Sequence, residues 1–200
     1  MSLMIEDLGG HVATVWSELR PATRGLVERA LQASHNASQS RNVPYDARAD
    51  LELSRFLSAL DDRACDAGAV LGSEKERRLR MVADTCALVL QEKTQSAEVF
   101  AQLVRRADAQ RDYKRIDALA DALTTRFAPS EICELARADD VFVRELANEA
   151  LARFPTSVLL TLLGDPVDTE VAREALRRQV IEYGSDEARQ IVNAIDQNFE

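Results

Sequence analysis

The sequence predicts an all-α protein, an α-α superhelix of about ten helices, and three observations predict it. Strand signals are nearly absent: β-branched residues are scattered, no segment alternates cleanly, and no Asn-Gly or Asp-Gly hairpin turn occurs. Only 7 Gly and 5 Pro punctuate 200 residues, so the elements between them are long. Apolar residues recur at three- and four-residue spacing, and an Ala-Leu pair returns along the chain at intervals. Residues 1–200 are therefore expected to form a single all-helical domain.

Residues 1–44 are expected to hold irregular helices and a loop. Gly9-Gly10 and Pro21 break the pattern into short pieces. Trp16, the only Trp, recurs with Val12 and Val15 in the first helix and reads as a packing anchor. Leu26, Ala30 and Leu31 share a face. Residues 34–44, SHNASQSRNVP, are polar and contain Pro, which makes them the best loop in the chain.

Residues 45–111 are expected to form helical hairpins. Leu51, Leu53, Phe56, Leu57 and Leu60 are assigned to one stripe, and Leu79, Val82, Cys86 and Leu90 to another. Ser73 and Glu76 form a capping box before a helix over Arg77–Leu90, each side chain satisfying an otherwise unpaired helix-end amide. Cys65, Cys86 and Cys133 are an odd set at wide spacing beside apolar residues, so all three are expected as buried free thiols.

Residues 112–200 carry the clearest repeat. Ala-Leu falls at 30–31, 59–60, 87–88, 122–123, 150–151 and 175–176, at spacings of 29, 28, 35, 28 and 25 residues. The last three share acid, three residues, acid, Ala, Leu: Asp117 to Leu123, Glu145 to Leu151 and Glu170 to Leu176. Each is followed by an aromatic that ends the helix (Phe127, Phe154, Tyr183) and then by a second apolar helix. The aromatic lies 4, 3 and 7 residues after the Leu, so the last helix is about one turn longer than the one before it. Asp139-Asp140 and Asp165-Pro166 read as helix starts, the second with proline at the first helical position, and Ser130, Ser157 and Ser185 stand near others. A two-helix unit of this length cannot bury its own apolar face, so successive units are expected to shelter one another in a row.

The segment Ala138-Asp-Asp-Val-Phe-Val-Arg144-Glu-Leu-Ala-Asn-Glu-Ala-Leu151 resembles the helix pattern of HEAT repeats, in which Asp opens the helix and Val-Arg precedes Ala and then Ala-Leu. Residues 162–176 look like the next unit, with Asp168 and Thr169 where Val-Arg would fall, and 112–126 keeps only the acid and Ala-Leu ending. The resemblance covers roughly residues 112–200. It implies an α-solenoid of the HEAT/armadillo kind, a family that serves mostly as scaffolds. It also implies that Arg144 pairs with acids of a neighbouring unit.

Composition limits function. The net charge of −9 disfavours nucleic acid and anionic lipid as partners. No stretch approaches the 18 apolar residues of a membrane span and no secretory signal is visible at the start, so a cytoplasmic protein is expected. The bias of 22 Arg to 3 Lys is that of a GC-rich bacterial genome.

Chemistry is sparse. Three Cys and two His do not furnish a closed zinc site, and His11 and His35 read as surface residues. Neither a phosphate-cradling glycine loop, nor a Gly-x-Ser-x-Gly elbow, nor a His-Glu-x-x-His helix occurs, so no cofactor, no metal and no catalytic residue is expected. Asp139-Asp140 is explained by capping, and Glu145 with Glu149 as a solvated face. Arginine clusters at 77–80, 105–106 and 177–178, together with Arg144 and Arg173, are the more distinctive surface. If equivalent helices stack, Arg77, Arg105, Arg144 and Arg173 are the candidate residues for contacting a partner.

The expected function is a non-enzymatic protein-interaction or regulatory scaffold whose partner is a protein. The alternatives are a DNA-repair glycosylase on HEAT-like repeats, disfavoured by the acidic charge and the interleaving of acids with Arg, or a structural homodimer subunit.

Overall fold

A computed structural model describes residues 5–33, 45–66 and 73–197. Among these are a 3-10 turn at Ile5–Leu8 and eleven α-helices, with no strand. The helices are α1 (Gly10–Glu18), α2 (Pro21–Ala33), α3 (Ala47–Asp66), α4 (Ser73–Lys93), α5 (Ala97–Ala109), α6 (Tyr113–Arg126), α7 (Pro129–Ala136), α8 (Val141–Ala152), α9 (Thr156–Leu162), α10 (Thr169–Tyr183) and α11 (Asp186–Gln197). The protein is all-α, as its patterning requires. None of the described helices is long and apolar enough to cross a membrane. The loop expected over 34–44, with His35, lies outside the described residues, as does the side chain of Ser73.

Contacts divide the chain into two compact units, one up to Val99 and one from Phe100, so the division falls inside α5. In the first unit α3 packs on α4, α1 on α3 and α2 on α4. Its core holds Val12, Leu53, Phe56, Leu57, Leu60, Leu79, Val82, Cys86 and Leu90, all without exposed surface. Trp16 is buried with its ring centroid 5.1 Å from that of Phe56, the packing anchor the sequence predicts.

One leucine leaves its assigned stripe, and the leucine of an Ala-Leu pair is exposed. Leu51 is 57% exposed and Leu88 is 47% exposed. At about 100° per residue both fall on the far side of their helices, opposite Leu53–Leu60 and Leu79–Leu90 respectively. The Ala-Leu pair at 87–88 therefore does not carry the buried leucine of the later pairs. Cys65 is also exposed, near the end of α3, while Cys86 and Cys133 are buried. Burial pushes the Cys133 thiol up to about 11, with the nearby Asp168 carboxylate adding to the effect, so it stays protonated and inert.

A charged network ties the start of α3 to the α1–α2 turn. Arg20 meets Asp46 through two hydrogen bonds of 3.0 and 2.7 Å and reaches Glu52 with Nε at 2.9 Å. The Thr23 hydroxyl donates to Glu52, and Asp46 accepts from the Ala49 amide at 2.8 Å, which caps α3. At Gly9 the backbone adopts φ 143°, and an added Cβ would lie 3.0 Å from Arg63 Nε, the atom that donates to the Leu8 carbonyl at 3.1 Å. The positive φ favours glycine there, and a side chain would also require Arg63 to shift.

In the second unit α6 packs on α8 and α8 on α10; α7 lies against α8 and α9, α9 against α10, and α11 against α10. Leu123, Leu151 and Leu176 are each fully buried. Asp112, Asp140 and Asp168 open α6, α8 and α10, each 28 residues after the last. Asp112 accepts from the Arg115 amide, and Asp140 from the Phe142 and Val143 amides, so two of them cap directly. Asp168 is buried and instead pairs with Arg137 at 2.7 Å.

Asp165-Pro166 does not begin a helix. Asp165 accepts from the Val167 amide at 2.8 Å and closes a turn, and α10 starts three residues further on at Thr169. Its carboxylate competes for the nearest amides of a tight turn, in which Pro166, the next residue, fixes φ. Ser185, by contrast, does cap α11, accepting from the Ala188 amide at 3.2 Å.

The register of α10 also shifts. Eleven residues after the opening Asp stand Leu123, Leu151 and Gln179, all buried. The Gln179 amide donates to the carbonyls of Ala152 at 3.1 Å and Phe154 at 2.6 Å, satisfying the end of α8. Leu176 stands one turn earlier, and α10 has 15 residues to the 12 of α8, the extra turn that the position of Tyr183 predicts.

Candidate functional site

The outward face of α8 opposes α10 across a groove of about 260 Å³, lined by Phe142, Glu145, Leu146, Glu149, Arg178 and Glu182. The four α8 residues form an i, i+3, i+4, i+7 stripe, so they share one side of the helix. The opposite side is committed to the core through Val143, Ala147, Ala150 and Leu151. Arg178 and Glu182 form the facing wall at i, i+4 on α10.

Four of the six lining residues are charged and two, Phe142 and Leu146, are apolar. Arg178 meets Glu145 at 2.6 Å and Glu182 at 3.4 Å. Glu149 accepts from Arg153 at 2.8 Å and from the Tyr183 hydroxyl at 3.2 Å. The Arg178 hydrogen bond holds the Glu145 carboxyl below its ordinary value despite partial desolvation, so it remains ionised at neutral pH. Phe142 is 37% exposed beside these charges. Two carboxylates, Glu145 and Glu182, share the Arg178 guanidinium while Glu149 is held by Arg153, so the three acids outnumber the two cations that pair with them.

The four arginines singled out from sequence behave differently from one another. Arg77 is exposed on α4 in the first unit. Arg105 brings Nε to 3.9 Å from Asp140, and Arg144 donates to the carbonyls of Ala138 at 2.8 Å and Asp139 at 3.4 Å. Arg105 and Arg144 thus meet at the single turn that opens α8. Arg173 pairs with Glu170 one turn back on its own helix, at 3.2 Å.

Arg144 does not make the acid pairing that the resemblance implies; its guanidinium satisfies the carbonyls between α7 and α8. The ion pairs joining successive helix pairs are Arg137–Asp168 and Arg178–Glu145. Phe142, Leu146 and Glu182 were not marked by motif, yet the α8 stripe is legible once the buried face of that helix is assigned. His11 is exposed. No group of three His, Cys, Asp or Glu among the described residues is placed to hold a metal ion.

The fold and groove define an all-α protein with an open, charged helical surface. Comparison with protein-family models, curated proteins and solved structures finds no match to this chain.

Proposed function

We propose that this chain is a non-enzymatic protein-interaction or regulatory scaffold, built in its second half from HEAT-like helical pairs that stack as an α-solenoid. One observation carries the reading: α6, α8 and α10 open with Asp at 28-residue intervals and pack in sequence, α6 on α8 and α8 on α10. Each unit in such a row leans on its neighbour, which leaves the outward helix faces available for partners.

The reading is supported by how the polar groups are used. Asp112, Asp140, Arg137 and Arg144 are spent on helix ends and turns, while Phe142 on the outward stripe of α8 stays 37% exposed. The partner is a protein, and the chain acts in the cytoplasm.

Cross-linking of the full chain in native lysate, followed by identification of captured proteins, tests the proposal. Recurrent capture of the same partner is expected. Repeated failure to capture any partner, together with turnover of a small molecule by the purified chain, would overturn it.

A further inference from the structure

We propose that the groove between α8 and α10 is a docking site for a basic amphipathic helix of a partner protein. The inference deepens the scaffold reading and rests on it, naming the face used and the chemistry of what it takes.

Size excludes a typical cofactor: small-molecule sites run from about 300 to 1,000 Å³ and enclose their ligand, whereas this groove of about 260 Å³ lies open along a helix and has room for one or two side chains. Its long wall is the stripe Phe142, Glu145, Leu146, Glu149, which offers apolar and acidic groups at every turn. A helix laid along such a stripe presents its own residues at three- and four-residue spacing and meets both kinds.

Charge selects the partner's sign. Glu145, Glu149 and Glu182 outnumber the two guanidiniums that pair with them, Arg178 and Arg153, and leave the groove with excess negative charge. The chain's own guanidiniums already show what these carboxylates accept, with Arg178 on Glu145 at 2.6 Å and Arg153 on Glu149 at 2.8 Å. A second copy would bring a surface that is itself acidic at a net −9, so a lysine- or arginine-bearing partner is favoured over self-association. Phe142, 37% exposed, supplies the apolar anchor and a face for a cation.

The probe is a fluorescent synthetic helix of leucine and lysine, about four turns long, titrated with the full chain while anisotropy is read; a leucine–glutamate helix of the same length is the control. The basic helix is expected to bind and the acidic one not. Phe142→Ala should weaken binding by about tenfold and Glu182→Gln by about threefold, with Glu187→Gln on α11 leaving it unchanged. Glu182→Gln alters one charge and little shape, so it keeps the test decisive if Phe142→Ala loses helical signal by circular dichroism. The proposal is overturned by no binding, by equal binding of the acidic helix, or by equal weakening in Glu187→Gln. It is also overturned if light scattering shows a dimer that Phe142→Ala dissolves. Partner capture in lysate that survives Phe142→Ala and Glu182→Gln together would sink the groove while leaving the scaffold reading standing.

Discussion

Asp46 shows how a single carboxylate links pH to stability. Its hydrogen bond from Arg20 is the main cause that holds it down at about 2, with the Ala49 amide next, against an unfolded value of about 3.9. A depressed folded value means that its contribution is complete above about pH 4 and disappears as pH falls through 2. Asp46→Asn keeps a cap acceptor and removes the charge, so it should melt at lower temperature than the parent at pH 6. The difference should close as thermal scans approach pH 2. Gln179 makes a second residue-level case. Gln179→Leu leaves the Ala152 and Phe154 carbonyls without their amide donor, and an unsatisfied buried acceptor costs about 1–3 kcal/mol. Leu151→Ala, which empties a fully buried site, should cost more, about 2–5 kcal/mol, and chemical denaturation of both variants ranks them. Neither the Gln179 bonds nor the Arg20 network was legible in the sequence, because each joins residues far apart in the chain. Their partners are set by tertiary packing, not by spacing.

Among the elements, helices were easy to read and their ends less so. The stripe Leu79, Val82, Cys86, Leu90 is buried as its spacing requires, and Asp140 caps α8 as its position predicts. Asp165-Pro166 misled because the same residue types that cap helices also close turns, and only the following backbone decides between them. Leu51 misled because it was grouped with Leu53–Leu60 without counting 100° steps. Caps can be tested directly. Asp140→Ala should cost about 1 kcal/mol, the usual value of an N-cap. Asp168→Ala should cost more than Asp140→Ala, because it breaks the 2.7 Å pair with Arg137 and empties a buried position, and thermal melts of the two variants give the order. At the other end of α10, Gly184 sits in the left-handed region at φ 64° with open space around it. Gly184→Ala should therefore cost about 1 kcal/mol from backbone strain alone.

For the molecule as a whole, composition spoke to charge and class but not to division. Helical class follows from missing strand signals, whereas the separation at Val99 and Phe100 falls inside α5, where no glycine or proline marks it. Part of the groove between α8 and α10 was visible: Glu145, Glu149 and Arg178 stood out as charges, while Phe142 and Leu146 join its wall only once the other side of α8 is filled. A net charge of −9 leads to a whole-molecule prediction. The chain should fail to retard duplex DNA in a gel shift even at low salt, where phosphate-binding proteins bind most tightly. The amide of Gln179 carries one more consequence. Sliding α10 by one residue along α8 would part this amide from the Ala152 and Phe154 carbonyls and strand donor and acceptors together, so Gln179 penalises every docking of α10 but one.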